Sequence, residues 1–295
     1  MNDIDKFKGL GVAMITPFKS NGDIDFDALK KLTQFLIDNN VDYLVVQGTT
    51  GESPVLTSKE KEEVLNTVVE VNNGNLPIVY GIGGNNTMAV AEQLKKFNRT
   101  DVDAILSVSP YYNKPTQEGI FQHYKIISET ANHPIIVYNV PGRTASNITA
   151  ETTLRIAKEC KNILAVKEAS GNFEQIMELI QNKPKNFLII SGDDAITMPF
   201  IAAGGDGVIS VVGNALPKQF AHMVHSGLKN NVEKSREIHY QILPIIQHLF
   251  SEGNPAGIKE ALKELKITDK YVRLPLVNVS ERTKNAIKSV IKTIK

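Results

Sequence analysis

The sequence predicts an α/β chain closed into a (β/α)8 (TIM) barrel with a C-terminal helical extension. Eight short runs rich in β-branched residues recur along the chain up to Val211. They are almost continuously apolar rather than alternating, as strands buried on both faces are. Their first residues lie 20 to 35 positions apart, which leaves room each time for one strand, one helix and two loops.

The runs are Val12–Ile15, Tyr43–Val46, Ile78–Tyr80, Ala104–Val108, Ile135–Tyr138, Ile163–Val166, Leu188–Ile190 and Val208–Val211. Helical signals fill the gaps. Asp25-Phe26-Asp27 precedes a Leu29, Leu32, Phe35, Leu36 stripe, and Thr57-Ser58-Lys59-Glu60 caps a helix carrying Val64, Leu65, Val68 and Val69. Thr116-Gln117-Glu118 opens another, with Phe121 and Ile126 following. An open doubly wound sheet also alternates strand and helix. Eight regularly spaced units favour the barrel, because a ring needs no special edge strand. After about residue 230 the strand pattern stops, and Val232–Phe250, Pro255–Leu265 and Glu281–Ile294 read as helices. The expected division is a catalytic barrel over residues 1–230 and an extension over 231–295, with no linker rich in Pro, Gly or Ser.

Composition removes several classes of function. With 295 residues and 42% apolar content the chain supplies a core, so a disordered or fibrous protein is excluded. The formal net charge of +1 offers no global field for polyanions, and no local basic patch replaces it, so no nucleic-acid partner is expected. The most apolar long stretch, Pro199 to Pro217, contains four glycines and Asp206, so no membrane span is expected. The start, Met1-Asn2-Asp3-Ile4-Asp5, lacks the apolar core of a signal peptide. A lone Cys160 excludes an intramolecular disulfide framework and a multi-cysteine metal site. The expectation is a soluble protein of the reducing cytoplasm.

In a barrel, chemistry belongs at the C-terminal ends of the strands. After the second run, Gly48-Thr49-Thr50-Gly51-Glu52-Ser53 brackets two hydroxyls with glycines, leaving backbone N–H groups to cradle a carboxylate or phosphate. It also reads as an ordinary turn with Ser53 or Thr57 as a helix cap. After the fourth run, Tyr111 and Tyr112 sit in a Pro-bounded loop and either reach a partner subunit or cover the barrel top. Tyr138 ends the fifth run. Arg143 follows five residues later, placed either to grip a carboxylate with its planar fork or simply to face solvent.

The sixth run leads straight into Lys167-Glu168. Lysine is rarely buried without a reason. Desolvation there disfavours the ammonium and leaves a neutral amine for Schiff-base formation, whereas a structural role would pair Lys167 with Glu168 or another barrel carboxylate. Asp193-Asp194 after the seventh run suggests either a divalent metal or, more simply, a helix cap, and no His or Glu pattern completes a metal shell. Gly204-Gly205-Asp206-Gly207 precedes the eighth run and either binds a phosphate or turns the chain after a helix. Gly81-Ile82-Gly83-Gly84 opens no dinucleotide fingerprint. His222 and His225 read as exposed, and Cys160 lacks the electropositive partner of a nucleophile.

Taken in order, Gly-Thr-Thr-Gly-Glu, Pro-Tyr-Tyr-Asn, Tyr-Asn-Val-Pro-x-Arg-Thr, Val-Lys-Glu-Ala-x-Gly and Ser-Gly-Asp-Asp resemble the dihydrodipicolinate synthase family of pyruvate-dependent class I aldolases. The likeness runs from about Gly11 to Asn254-Pro255 and Lys263-Glu264-Leu265. It implies that Lys167 forms an imine with pyruvate, that Thr49 and Thr50 hold the pyruvate carboxylate, and that Tyr138 relays protons with Thr50 and with Tyr112 of a neighbouring subunit. It further implies that Arg143 binds the carboxylate of L-aspartate-4-semialdehyde, that the main chain at Gly192 and Ile209 lines the pocket, and that no cofactor or metal is needed. Self-association as a homodimer or homotetramer follows from the shared tyrosine. The resemblance departs at Gly142, where serine is frequent in the family. A sister activity such as N-acetylneuraminate lyase uses the same imine, although that lyase typically has Ser-Thr where this chain has Thr49-Thr50. A non-enzymatic barrel that has kept the fold is the other rival.

Lysine-inhibited members of the family carry a feedback pocket at the dimer interface. Ser53, Asn85 and Tyr111 match its contacts, but Ser58 replaces a usual histidine and Ala89 replaces the carboxylate that pairs with the ligand's ammonium. The resemblance therefore implies a lysine-insensitive protein.

Overall fold

All eight apolar runs form strands: β1 (Gly9–Ala13), β2 (Tyr43–Val46), β3 (Ile78–Gly81), β4 (Ala104–Val108), β5 (Ile135–Asn139), β6 (Ile163–Glu168), β7 (Leu188–Ser191) and β8 (Gly207–Ser210). Every strand pairs in parallel with its sequence neighbours, and β1 pairs with β8 to close the barrel. An open doubly wound sheet lacks that last ladder. The structure, a computed structural model, describes residues 3–294, so Met1 and Asn2 of the acidic start lie outside the described residues.

Two strands are displaced from their predicted positions, while β3, β5 and β7 run one residue and β6 two residues past their predicted ends. β1 begins three residues before Val12 because Gly9 and Gly11, poor strand formers on propensity, are needed for packing. A Cβ on Gly11 would lie 2.2 Å from the Tyr43 ring, so glycine makes room for that buried tyrosine inside the barrel. At the other end, the Ile15 N–H leaves the ladder and donates to Asn214 Oδ1. β8 ends one residue before Val211, whose N–H donates to Asp194 Oδ2 instead.

The helices between the strands are α1 (Phe26–Ile37), α2 (Ser58–Asn72), α3 (Thr87–Lys96), α4 (Gln117–Thr130), the single turn α5 (Pro141–Thr144), α6 (Ala150–Glu159), α7 (Phe173–Asn182), α8 (Thr197–Ala202) and α9 (Pro217–Leu228). Their starts follow the sequence signals. Asp25 accepts from the Ala28 N–H, Thr57 and Glu60 form a reciprocal capping box, and Thr116 accepts from the Gly119 N–H.

Two apolar layers result. One fills the barrel, with Tyr43, Val79, Leu106, Ile136, Leu188 and Ile209 among its members and Phe7 packed edge-on against Tyr43. The larger one lies between strands and helices. The extension follows as α10 (Val232–Phe250), α11 (Ala256–Glu264) and α12 (Glu281–Ile294). The first and last have the predicted bounds, and α11 is one residue shorter at each end. α10 packs on α9, and α12 packs on α10 and α11. The turn before α11 brings Asn254 to the mouth of the barrel, within hydrogen-bond distance of Thr50. Among the described residues no helix is long and apolar enough to cross a membrane.

Candidate active site

The register of β5 on β6 sets Tyr138 opposite Lys167. Side chains alternate along a strand, and at this step both point into the barrel. The Lys167 side chain ends with Nζ 4.2 Å from the Tyr138 ring centroid, and the residue is only 5% exposed. Among the described residues it forms no ion pair.

Glu168, one position on, faces the other way. Its carboxylate accepts from Asn139 Nδ2 (2.9 Å), Gln175 Nε2 (3.1 Å) and the Ser170 N–H (2.6 Å). The lysine–glutamate pairing that the sequence left open is therefore not made. Gly192, just after β7, gives the lysine its space. A Cβ there would fall 3.1 Å from Lys167 Cε and 2.7 Å from Ala169 Cβ. Ile209 of β8 is buried in the same interior layer as Tyr138.

Beyond β2 the chain makes a 3-10 turn at Thr49–Gly51, passes through Glu52 in a left-handed conformation (φ +55°), and makes a second turn at Ser53–Val55. Thr50 is buried, and its Oγ1 accepts from Asn254 Nδ2 at 2.9 Å. The Asn254 carbonyl accepts from Arg143 Nη2 at 3.4 Å. One residue of the extension thus touches two predicted site residues. Glu52 is tied to the same extension. Its carboxylate accepts from Lys259 Nζ (2.5 Å) and from the Arg273 N–H (3.0 Å), and Lys259 also donates to the Tyr271 carbonyl. Burial lowers the Lys259 pKa to about 8, with Glu52 pulling the other way.

A cavity of about 260 Å³ opens at this end of the barrel, and Thr49, Tyr138 and Arg143 line it together with Gln47, Lys61 and Tyr111. Of the remaining predicted residues, Thr50, Lys167 and Ile209 are buried and Gly192 is half-buried. Tyr112 stands apart. It is 88% exposed, with a left-handed φ of +72°, and is not among the residues that line its own chain's cavity. Sequence reasoning missed Gln47, Asn254 and Lys259. Gln47 carried the signal that marked Lys167, a polar side chain ending an apolar strand; the other two had none, being brought in by the fold.

The remaining candidates separate. Neither aspartate caps α8, whose N-cap is Ile196. Asp193 accepts from the Ala195 N–H in a local turn, and buried Asp194 accepts from the Val211 and Val212 N–H groups, fastening the end of β7 to the chain after β8. Burial raises the Asp194 pKa to about 6. Among the described residues no three His, Cys, Asp or Glu side chains converge as a metal site. Gly204 to Gly207 lead into β8 and so lie at the end of the barrel opposite the mouth. His222 is exposed, whereas half-buried His225 pairs with Asp42 at 2.7 Å, and Cys160 is buried with its thiol pushed up by burial.

A parallel barrel with a buried lysine beside a tyrosine, at the C-terminal ends of adjacent strands, defines a barrel enzyme of the imine-forming aldolase class. The chain belongs to the dihydrodipicolinate synthetase family, whose sequence model matches residues 6–294. It is 54% identical to the 4-hydroxy-tetrahydrodipicolinate synthase of Flavobacterium psychrophilum over 281 residues, 95% of this chain and 96% of that one. It is 50% identical to the enzyme of the same name from Parabacteroides distasonis, over 100% of this chain and 99% of that one. The crystal structure of dihydrodipicolinate synthase from Thermotoga maritima superposes with a TM-score of 0.95 at 41% identity, covering 98% of this chain and 99% of the other. These similarities do not favour the N-acetylneuraminate lyase alternative.

Proposed function

We infer that this chain condenses pyruvate with L-aspartate-4-semialdehyde to give 4-hydroxy-tetrahydrodipicolinate, a step of lysine and diaminopimelate biosynthesis, through an imine on Lys167. The observation that carries the residue assignment is the amine of Lys167, buried, without an ion-pair partner among the described residues, and against the Tyr138 ring. Its lone pair attacks the pyruvate ketone, and water leaves as the imine forms. The imine draws electrons from the methyl carbon, which loses a proton to become an enamine. That carbon attacks the aldehyde, whose oxygen takes up a proton and becomes the product hydroxyl. The amino group of the second substrate then attacks the imine carbon, closing the ring and releasing Lys167.

In this reading Thr49 and Thr50 hold the pyruvate carboxylate, and the main chain at Gly192 and Ile209 borders it. Tyr138 moves protons with Thr50 and with Tyr112 of a second copy, while Arg143 receives the carboxylate of the aldehyde substrate. Thr49, Tyr138 and Arg143 lining one cavity support these roles. The exposed, left-handed Tyr112 supports a homodimer, or a tetramer built from it, in which that ring enters its neighbour's site. No cofactor enters the scheme. A cytoplasmic setting is supported by the single buried thiol of Cys160. The division into a barrel over 1–230 and an extension over 231–295 is supported by the end of α9 at Leu228 and the start of α10 at Val232.

Borohydride reduction in the presence of pyruvate, followed by peptide mass mapping, tests the core of this reading. A reduced pyruvyl adduct on Lys167 and loss of activity are expected. An adduct on another lysine, or none, overturns the assignment.

A further inference from the structure

Asn254 lies in the turn before α11, 204 positions from the loop residue it meets. Its buried side chain makes one hydrogen bond among the described residues, with Nδ2 donating to Thr50 Oγ1 at 2.9 Å, while Oδ1 of the same amide has no partner. A hydroxyl has one proton to give and two lone pairs that accept. Thr50 Oγ1 already accepts from an N–H, which can only donate. Its own proton is therefore left to point elsewhere, and no acceptor among the described residues takes it.

The loop has stronger fastenings than this bond. Glu52, two residues on, accepts from Lys259 Nζ and from the Arg273 N–H. Hydrogen bonds to a charged group are about twice as strong as neutral ones, so the Asn254 amide supplies a direction more than an anchor. Arg143 meets Asn254 by a separate route, its Nη2 donating to the backbone carbonyl at 3.4 Å. A substitution of the Asn254 side chain removes the first contact and spares the second.

We propose that Asn254 is a positioning residue for the reaction: its amide N–H turns the Thr50 hydroxyl so that the proton faces the reacting groups. The proposal rests on the proton relay given above. When Tyr138 gives its proton to the hydroxyl that leaves as water, the Thr50 proton moves to the Tyr138 oxygen. Tyr112 of a second copy then gives its proton to Thr50 and takes one from solvent. An acceptor in place of the amide N–H would draw the Thr50 proton toward the extension, and an apolar group would leave the hydroxyl free to turn.

Two substitutions read the direction of the bond. Asn254→Asp keeps the shape of the side chain and exchanges the donor for an acceptor, whereas Asn254→Ala removes both polar atoms. Imine formation with pyruvate, followed by borohydride trapping at timed intervals, should slow about 3- to 10-fold in Asn254→Ala, the scale of one neutral hydrogen bond. In Asn254→Asp it should slow about 10- to 100-fold, because a charged acceptor ties up the proton. The aldehyde KM should hardly move in Asn254→Ala, since Arg143 keeps its carbonyl. A packing role gives the opposite order, with the isosteric aspartate close to wild type and alanine slower, and that order overturns the proposal. So does an unchanged rate in both variants, or an effect confined to the aldehyde KM.

Thr50→Val has no hydroxyl to turn. In that background either change at Asn254 should alter imine formation by less than about 2-fold. Losses that simply multiply overturn the proposal, and for Asn254→Asp they would mark plain repulsion of the pyruvate carboxylate. Asn254→Leu repeats the comparison if the alanine variant does not fold. Failure of imine trapping in the wild type sinks the underlying reaction instead, and is read before any variant is made.

Discussion

Gly192→Ala is the sharpest probe of how the barrel holds its lysine. The added Cβ falls 2.7 Å from Ala169 Cβ, 3.1 Å from Lys167 Cε and 3.2 Å from Lys167 Cγ. Carbon atoms in comfortable contact stand about 3.5–4.0 Å apart, so these groups must separate by about 0.5–1 Å. Residue 192 cannot retreat freely, because its N–H donates to the Glu168 carbonyl at 2.8 Å. The lysine stem and the turn at Ala169 give way instead. Overpacking of this kind costs about 1–3 kcal/mol of stability, and displacing a reacting group by about 1 Å costs on the order of 10²-fold in rate. The variant should fold, melt somewhat lower and lose about 10- to 100-fold in kcat. Its rate of imine formation with pyruvate, followed by borohydride trapping at timed intervals, should fall in parallel. The KM for the aldehyde should hardly move. Imine formation at the wild-type rate would refute the reasoning, as would a loss confined to the aldehyde KM.

Tyr138→Phe should lower kcat by about 10²-fold, as loss of a proton-transfer group does, while Arg143→Ala should raise the aldehyde KM and leave the pyruvate imine intact; steady-state kinetics beside borohydride trapping checks both. Lys259 has a folded-state pKa of about 8, below its ordinary 10.5. Between those values the unfolded chain binds the extra proton, so the contribution of this lysine to stability rises with pH across that window. Urea unfolding from pH 8 to 10 should therefore show wild type gaining on Lys259→Met; a constant difference would mean that the ammonium is not desolvated. L-Lysine titrated into the assay should leave activity unchanged. Ser58 and Ala89 supply no counter-charge, and the half-buried ammonium of Lys61 lines the cavity shared by Ser53 and Tyr111. Clear inhibition would mean that a feedback pocket survives in altered form.

The fold was legible because barrel strands are buried on both faces, which turns each into an uninterrupted apolar run. Four runs stopped one or two residues short because the strand closes on a glycine or polar residues, as β6 does on Lys167 and Glu168, and two were displaced where another force decided. β1 hides in a glycine-rich segment because Tyr43 needs the space beside Gly11. β8 stops early because a carboxylate from another loop captures the Val211 N–H. Both causes lie in residues far away in sequence, so no local propensity contains them. Helix starts were legible for the opposite reason. Thr57 with Glu60, and Asp25 with Ala28, settle their hydrogen bonds within one turn.

The same division explains the site. Lys167 and Tyr138 were visible because each ends an apolar strand with a polar side chain, and the register of β5 on β6 then sets them opposite each other. The residues that hold the Thr49-Thr50 loop were not visible, because they arrive from the extension more than two hundred positions later. Asn254 donates to Thr50, and Lys259 donates to Glu52, the residue that turns the loop back through a left-handed conformation. The helices after residue 230 are therefore more than a cover for the barrel. They reach back to the loop at its mouth with a buried ammonium and a buried amide, and a buried ion pair broken on one side costs about 3–5 kcal/mol. All eight strands precede Asn254, so the two contacts that fasten the loop at the mouth come from residues that take no part in the ladders closing the barrel.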